Sequence, residues 1–487
     1  MLPSDIIIIG AGSAGCTLAH LLSDQHGFSV TLIEPATIET PQTFLAPEID
    51  RTRPARWLKL LAGPNDWDYA TVASKSLAGR ALNCPRGRGM GGSSRINAMI
   101  WFPPTHDDFK RFSAAAADAR WSTESLRSAY QSAERLVQPE PARWISEPAQ
   151  RFLRAASPLG HAMAYPRMNR DGRRWTPAAL LLNSPGVQTI RATVDRIRFR
   201  DNRAIGVELA DGTQISASKQ VILSAGSIAS PTILMRSGIG PRDGLRDAGV
   251  KAWLDAPDVG QHLQDHLVMP VIFSIDAGTR FDLNVSPRDL ARFEVLGQGP
   301  LTSNIAEAGG LFANDAIQIH VTPTHYLRFP QPNAASAMTI AVNATQPTSR
   351  GHVAIRSRNA SDPPQIDPNY LADREDVETT IAGVKLARAI AMQLPLQNWI
   401  GPELLPGSKR TSDEGIVKSI SRYAQTLYHP VGTCGLGRVV DANLSVIGTE
   451  RLSVVDASVF PEVTVGNPNA MVMTLATLFA NQIATSP

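Results

Sequence analysis

The 487-residue sequence predicts an α/β protein with a doubly wound domain, built discontinuously from both chain ends, and an α+β domain on an antiparallel sheet. Apolar strands that run into small-residue turns occur at 5–9, 221–223 and 452–455, as is typical of a parallel sheet. Between the last two lie short alternating segments that predict antiparallel strands. These segments are residues 317–321, 338–342 and 352–355.

The predicted domain division follows from this order. Residues 1–265 and 426–487 form the first domain and residues 266–425 the second, with inserted second-domain segments near 100–185. A chain of this length exceeds what one hydrophobic core usually organises, so more than one domain is expected.

The N-terminal residues predict a βαβ unit that binds a dinucleotide, as in Rossmann-like domains. The strand 5–9 leads into the loop 10–15 (GAGSAG), and a helical stretch and a second apolar run, 29–33, follow. Glu34 ends the second strand, 19 residues after the loop, where a carboxylate accepts hydrogen bonds from a ribose. Because no Arg partner stands near Glu34, the pattern favours NAD or FAD over a cofactor with a 2′-phosphate.

Each glycine of this loop has a mechanical role. Gly10 permits the tight turn, Gly12 lets the backbone approach a pyrophosphate, and Gly15 lets the helix pack closely on the strand. The phosphates then lie on the helix N-terminus, where unpaired N–H groups and the helix dipole favour negative charge.

Composition excludes several classes of function. Lys and Arg number 47 and Asp and Glu 44, and the formal charge of +3 is too small to indicate nucleic acid or an anionic membrane as partner. Cys16, Cys84 and Cys434 have no CxxC spacing, which argues against a disulfide framework and a zinc site. Asp5 stands where a signal peptide needs basic residues, and no apolar stretch is long enough for a membrane span. We therefore expect a soluble, cytoplasmic protein without a metal.

Periodicity predicts further elements. Residues 106–136 and 374–392 predict helical regions, and residues 469–483 predict a closing helix. Residues 189–209 predict a hairpin that turns at 201–202.

A second glycine-rich loop, 87–92, runs into residues 93–97, whose small hydroxylated side chains predict a helix start. The preceding residues 35–85 lack sustained periodicity and predict long connections over the cofactor domain.

Five motifs of this chain resemble the glucose–methanol–choline (GMC) oxidoreductase family. The two family signatures correspond to residues 87–97 (GRGMGGSSRIN), continued by Ala98, Met99, Ile100 and Trp101, and to residues 226–240 (GSIASPTILMRSGIG). Further matches follow in family order at 258–266 (DVGQHLQDH), at 429–434 (HPVGTC), and at 454–458 (VVDAS) through 466–469 (GNPN). The resemblance therefore covers essentially the whole chain.

The resemblance implies FAD as the cofactor. Noncovalent binding follows because Arg95, Asn97 and Ala98 occupy the stretch in which some relatives carry a flavin-linked histidine. The residues implied to contact FAD are Gly10, Gly12, Ser13, Ala14, Gly15, Glu34, Arg88, Gly92, Ser93, Asn97, Ala98, Met99, Ile100, Val194, Ala225, Asp456, Ala457, Asn467 and Pro468.

His429 and Asn467 are the implied catalytic residues. The implied reaction oxidises an alcohol, a primary one, to an aldehyde by proton abstraction and hydride transfer to flavin N5, with reoxidation by oxygen or another acceptor. Imidazole suits the proton step because its pKa lies near neutrality. The Asn467 amide donates a hydrogen bond to the substrate oxygen without competing as a base. An Asn here resembles the choline-oxidising and related alcohol-oxidising branches more than the sugar-oxidising ones.

Structural roles are the alternative for these and other residues. By residue type alone His429 could cap a turn, and Asn467 could start an Asx turn before Pro468. Core or surface roles are favoured over substrate contact for four residues in the segment expected to cover the flavin, and core roles for two tryptophans. These residues are His320, His325, Tyr326, Phe329, Trp67 and Trp101.

Two further residues lie within the motifs. Cys434 follows His429 by five residues and predicts an inert buried thiol. His262 stands where relatives commonly carry Asn.

Other functions on the same scaffold remain open. A hydroxynitrile lyase would use FAD structurally and the histidine for acid–base work, since a fold does not fix a function. The presence of both His429 and Asn467 disfavours a light-driven fatty-acid decarboxylase and a pure binding module.

Overall fold

The computed structural model describes residues 4–36, 52–275, 286–328 and 336–485. Its strands are β1 (Ser4–Ile9), β2 (Val30–Glu34), β3 (Tyr69–Ala70), β4 (Asn83–Cys84), β5 (Gly160–Ala164), β6 (Asn169–Arg170), β7 (Arg173–Arg174), β8 (Val187–Arg191), β9 (Val194–Arg200), β10 (Arg203–Leu209), β11 (Gln214–Leu223), β12 (Ile239–Gly240), β13 (Leu254–Asp255), β14 (Gln261–Leu263), β15 (Leu267–Ile275), β16 (Ala308–Phe312), β17 (Ile317–Thr322), β18 (Ala337–Ala344), β19 (Gly351–Ala354), β20 (Gln365–Asp367), β21 (Ile400–Leu405), β22 (Gln425–Thr426) and β23 (Leu452–Val454).

The α-helices of the described residues are α1 (Ser13–His20), α2 (His106–Ala116), α3 (Thr123–Val137), α4 (Glu147–Ala156), α5 (Gly226–Arg236), α6 (Arg242–Asp247), α7 (Pro287–Leu296), α8 (Arg374–Ala391), α9 (Leu394–Gln397), α10 (Asp413–Tyr423) and α11 (Asn469–Thr485). Within the ranges described, none of these helices combines the length and the apolar character that a membrane crossing requires.

The first sheet holds the N-terminal βαβ unit. Its strand order is β8-β2-β1-β11-β10-β9, with β23 paired to β11. The pairs β8–β2, β2–β1, β1–β11 and β11–β23 are parallel, while β9, β10 and β11 form an antiparallel meander. Residues 6–8 of β1 are at most 1% exposed, as expected for a strand covered on both faces. The predicted doubly wound fold built from both chain ends is confirmed.

The second sheet has the order β21-β15-β18-β17-β16-β5, with β22 paired to β15, and its pairings are antiparallel. Strand β17 shows how this sheet divides core from cavity. Ile319 and Val321 belong to an apolar cluster that also contains residues of α8. Because strand side chains alternate, His320 and Thr322 face the other side, where they line a cavity. The predicted antiparallel sheet is confirmed, and β5 comes from the inserted region near 100–185.

Several element predictions need correction. Residues 93–97 do not start a helix, because Gly91 and Gly92 have positive φ values and lead into a short 3₁₀ turn, Gly92–Arg95. The helical region 106–136 is two helices, since Ala117 adopts φ 48° and Asp118 caps a 3₁₀ turn between them.

Two strand predictions also change. Of residues 189–209, the first three belong to β8, which pairs with β2, so the hairpin is formed by β9 and β10 around the predicted turn. Residues 352–355 largely form β19, which lies in a separate three-stranded sheet with β14 and β20.

Candidate active site

A cavity of about 830 Å³ is lined by residues of both sheets and their connecting loops. This volume is typical of a small-molecule site. Of the residues implied to contact the cofactor, all line the cavity except Gly15 and Arg88; the lining ones are Gly10, Gly12, Ser13, Ala14, Glu34, Gly92, Ser93, Asn97, Ala98, Met99, Ile100, Val194, Ala225, Asp456, Ala457, Asn467 and Pro468.

Close backbone approaches form a cradle for a pyrophosphate. A Cβ on Gly92 would lie 2.7 Å from the Gly12 Cα, and a Cβ on Gly10 would lie 2.6 Å from the Ser224 oxygen. Helix α1 begins directly after Gly12, and no side chain caps its first turn. Its first N–H groups therefore remain available to an anion. The residues present fit the phosphates of FAD.

Glu34 joins the two glycine loops. Its carboxylate accepts the backbone N–H of Ala11 at 3.2 Å, that of Gly89 at 3.1 Å and that of Ala36 at 3.3 Å. Burial raises the pKa of Glu34, and these hydrogen bonds oppose that shift. The sequence predicted a contact with ribose, and the structure adds a role in holding the loops 10–15 and 87–92 together.

Gly15 and Arg88 act outside the cavity wall. A Cβ on Gly15 would lie 1.9 Å from the Gly10 oxygen, so the helix packs as closely on the turn as the sequence predicted. The Arg88 guanidinium lies 4.9 Å from the ring centroid of Trp67. Trp67 lines the cavity, contrary to its predicted core role, whereas Trp101 is 1% exposed and belongs to the core.

Asp456 caps helix α5. Its carboxylate accepts the Gly226 N–H at 2.8 Å and the hydroxyls of Ser230 and Ser458 at 2.5 Å. Burial raises its pKa. The motif 454–458 thereby positions the helix start at 226 against the cavity.

His429 is fixed by the buried carboxylate of Asp265. This carboxylate accepts the His429 backbone N–H at 2.7 Å and the hydroxyls of Thr426 and Tyr370 at 2.5 Å. Tyr428 adopts φ 66°, which places a sharp turn directly before the histidine. His429 is 8% exposed and lines the cavity.

The structure brings the two predicted catalytic residues together. Asn467 Nδ2 lies 3.0 Å from His429 Nε2, although 38 residues separate them in the chain. The loop that carries Asn467 is tightly held, since a Cβ on Gly466 would lie 2.1 Å from the Phe102 ring and the Val465 N–H donates to Asp108 at 2.9 Å.

His266 completes a chain of hydrogen bonds behind His429. Its Nε2 lies 2.9 Å from the Thr345 carbonyl oxygen, and its Nδ1 lies 2.9 Å from His429 Nδ1. Burial lowers the pKa of both histidines, so both rings are neutral near pH 7.

The tautomers follow from this chain. A carbonyl can only accept, so His266 Nε2 carries a proton and its Nδ1 is an acceptor. His429 Nδ1 must therefore donate, which leaves His429 Nε2 unprotonated beside Asn467. Sequence reasoning missed His266, although it lies in the motif 258–266 that was singled out.

The segment expected to cover the flavin contributes to the wall. His320 and Tyr326 line the cavity, and His320 is 4% exposed. His325 is half-buried, and burial lowers its pKa. Phe329 lies outside the described residues.

Other residues of the cavity wall lie outside the motifs recognised in the sequence. They include Trp57, Leu58, Leu61, Arg86, Thr324, Tyr428 and residues 355–357 and 359–364.

His262 adopts φ 61°, and its Nε2 lies 3.0 Å from Asp258 Oδ1. Histidine tolerates this left-handed conformation better than most residues. Cys434 is fully buried, and burial raises its pKa far above the ordinary value, so the thiol is unreactive at neutral pH.

Comparison with known proteins identifies the family. Models of the N-terminal and C-terminal parts of GMC oxidoreductases match residues 4–182 and 169–268, and 347–476. The chain is 31% identical to the alcohol dehydrogenase [acceptor] of Pseudomonas putida, over 97% of this chain and 94% of that protein. It is 32% identical to the mitochondrial choline dehydrogenase of Homo sapiens, over 99% and 90% respectively.

A solved structure agrees. The crystal structure of pyridoxine 4-oxidase from Mesorbium loti superposes with a TM-score of 0.88 at 30% identity and covers 99% of both chains. The chain therefore belongs to the glucose–methanol–choline oxidoreductase family, and its cofactor is FAD.

Proposed function

We propose that this enzyme oxidises an alcohol, a primary one, to the aldehyde, with His429 as the general base and Asn467 as the hydrogen-bond donor to the substrate oxygen. The names of the relatives reported above refer to alcohol, choline and pyridoxine as substrates, which supports an alcohol here. One observation carries the proposal. His429 Nε2 lies beside the Asn467 amide at the cavity wall, and the hydrogen bonds that link His429 through His266 to the Thr345 carbonyl leave this nitrogen unprotonated.

The proton step uses His429 Nε2. The hydroxyl proton of the alcohol passes to this nitrogen, and the two electrons of the carbinol C–H bond leave as hydride while the C=O bond forms. When bound, FAD supplies the acceptor for that hydride. His429 then carries both ring protons. The buried carboxylate of Asp265, which accepts the His429 backbone N–H, is a nearby negative charge that opposes the lowering of the His266 pKa.

Asn467 orients the substrate oxygen. One Nδ2 proton points to His429, and the second is available to the alkoxide charge that develops in the transition state. The amide cannot take up a proton at neutral pH, so it does not compete with His429.

The cofactor is proposed to bind noncovalently. The adenosine half would lie along Glu34 and Val194, the pyrophosphate on the cradle of Gly12 and Gly92, and the ring toward His429. These residues line one continuous cavity.

Anaerobic mixing with primary alcohols tests the proposal. We expect the purified protein to be yellow and at least one alcohol of a broad panel to bleach its flavin absorbance. Reoxidation by oxygen or by an artificial acceptor then separates an oxidase from a dehydrogenase. If no alcohol reduces the flavin while a cyanohydrin is cleaved, the hydroxynitrile-lyase alternative replaces the proposal.

A further inference from the structure

His320 is a buried imidazole that the proposed mechanism does not use. It is 4% exposed, it lines the same cavity as His429, and neither of its ring nitrogens has a hydrogen-bond partner within the described ranges. Its neighbour Tyr165, whose ring centroid lies 5.3 Å away, donates its hydroxyl to the Ile319 oxygen instead. Buried polar groups are normally paired, so His320 lacks a partner that a ligand can supply.

Three other residues of the cavity wall share this property. Asn467 Oδ1, Thr324 Oγ1 and Ser227 Oγ are buried, and the described residues offer none of them a partner. The proposed reaction places the substrate hydroxyl at His429 and Asn467. His320 then offers a second polar group in the same cavity.

His320 is uncharged under physiological conditions. Burial lowers its pKa to about 3, and the neighbouring His266 adds to this shift. A neutral imidazole offers one donor and one acceptor, so it can pair with either kind of polar group.

The surroundings of His429 do not favour a cationic substrate. Besides burial, the side chains that lower the pKa of His429 are His266, His320 and Arg86. The Arg86 guanidinium is held at the Tyr428 carbonyl oxygen. A cation placed here would meet a fixed positive charge.

The acidic side chains of the described cavity wall either accept hydrogen bonds from the protein or are exposed to solvent. Glu34 and Asp456 bind the cofactor loops, and Asp68 and Asp362 are exposed to solvent. Asp265 lies behind His429 but does not line the cavity, and its carboxylate already accepts three hydrogen bonds. Burying a cation without a counter-ion is costly.

Aromatic residues bound the same region. Tyr326 and Tyr428 line the cavity, and burial raises the pKa of both hydroxyls. Both side chains are therefore neutral near pH 7, and their rings offer flat apolar surface.

We propose that the substrate is an uncharged aromatic alcohol with a second hydrogen-bonding atom, which His320 binds. This inference rests on the proposed function, and it implies that quaternary ammonium alcohols are poor substrates. The imidazole pairs with the second polar atom, the tyrosine rings contact the flat ring, and the hydroxyl reaches His429.

Two pairs of alcohols test this substrate class. 3-Pyridinemethanol and benzyl alcohol differ by one ring nitrogen, and 3,3-dimethylbutan-1-ol and choline differ by one charge. We expect the holoenzyme to bind 3-pyridinemethanol about tenfold more tightly than benzyl alcohol, the value of one hydrogen bond. It should also bind the uncharged butanol about tenfold or more tightly than choline. Dissociation constants come from anaerobic flavin reduction, or from perturbation of the flavin absorbance when no reduction occurs.

Variants assign the ring-nitrogen preference to His320. His320→Phe should abolish the preference for 3-pyridinemethanol while benzyl alcohol still binds, and His320→Asn should keep part of it. His325→Phe, at a half-buried histidine outside the cavity wall, should leave it unchanged. A full flavin content in each variant shows that it folds.

The outcomes are separable from those of the proposed function. Absence of flavin reduction with every alcohol of the broad panel contradicts the proposed oxidation, yet the binding constants of these four alcohols still rank the ligands. Tighter binding of choline than of its uncharged isostere, or an unchanged pyridine preference in His320→Phe, overturns the substrate class even when oxidation proceeds.

Discussion

His266 Nδ1 lies 2.9 Å from His429 Nδ1, and the Thr345 carbonyl oxygen holds the opposite nitrogen of His266 at 2.9 Å. Two neutral imidazoles in this arrangement have only one consistent set of ring protons. The backbone carbonyl thereby determines, through two rings, which nitrogen of His429 is basic. In the proposed mechanism His266 is a positioning residue, because it would act only through His429.

Replacement of His266 should slow flavin reduction. We expect His266→Leu to lose about 10- to 100-fold in the reduction rate, because His429 loses the acceptor that selects its tautomer and orientation. His266→Asn, whose Oδ1 can accept from His429 Nδ1, should recover much of this loss. Stopped-flow reduction at saturating alcohol measures both variants.

The pH profile distinguishes positioning from a general structural defect. His266 contributes to the lowered pKa of His429, so its removal should move the acid limb of kcat/KM in the Leu variant upward, toward the ordinary histidine value of about 6.5. An unmoved acid limb together with a reduced rate would indicate a folding defect instead.

Asn467→Leu should lower the flavin reduction rate by about 100-fold or more. The variant loses the donor that stabilises charge on the substrate oxygen, a contribution of about 3 kcal/mol in comparable sites. Asn202→Leu is the matched control, because Asn202 lies outside the cavity wall and its amide donates to the Glu450 carboxylate at 3.4 Å. The control should reduce flavin near the wild-type rate, and equal losses in both variants would argue against the role of Asn467.

Glu34→Gln should weaken FAD binding by about tenfold. The amide presents N–H groups to backbone N–H donors of the loops 10–15 and 87–92, so at least one hydrogen bond is lost. Reconstitution of the apoprotein, followed by quenching of flavin fluorescence, gives the dissociation constant. Glu450→Gln, at an exposed carboxylate paired with Arg203, serves as the control. The same affinity in both variants would show that Glu34 does not organise the cradle.

His320 should make the stability of the protein sensitive to acid. Its pKa is about 3 in the folded protein and about 6.5 in the unfolded chain, so the unfolded state binds the proton first as the pH falls. The stability linked to this group is complete above about pH 6.5 and declines below it.

Between pH 7 and pH 5 the wild-type protein should therefore lose about 2 kcal/mol more of its unfolding free energy than His320→Phe does. Urea unfolding at the two pH values measures this difference. Parallel losses in both proteins would mean that His320 is not buried and neutral.

The fold was predictable wherever a segment carried its own signal. The loop 10–15 between apolar strands, and the return of strand and small-residue turn at 221–226 and 452–458, placed both chain ends in one parallel sheet. The alternation in β17 likewise predicted an antiparallel sheet. Interruptions of a helix that depend on the backbone conformation of one residue were not predicted. One example is the positive φ of Ala117, which divides the helical region 106–136.

The residues of the site were predictable only where a motif contained them, and the roles of the buried histidines around His429 were not predictable. His429 and Asn467 stand in recognisable stretches, so their convergence could be expected. His266 and His320 gave no comparable signal, because their roles depend on which atoms oppose them across two sheets. The sequence does not show whether the ring nitrogens of a buried histidine have hydrogen-bond partners. Those of His266 are paired, whereas those of His320 have no partner among the described residues.

The reduction rate of His429→Ala tests the central claim most directly. We expect this variant to be purified yellow, with its FAD retained, and to lose about 10²- to 10⁴-fold in the anaerobic rate at which an alcohol that reduces the wild-type enzyme bleaches the flavin. The rate should remain low across the pH range in which the wild-type enzyme is active. A variant that reduces its flavin at the wild-type rate would contradict the assignment of His429 as the base.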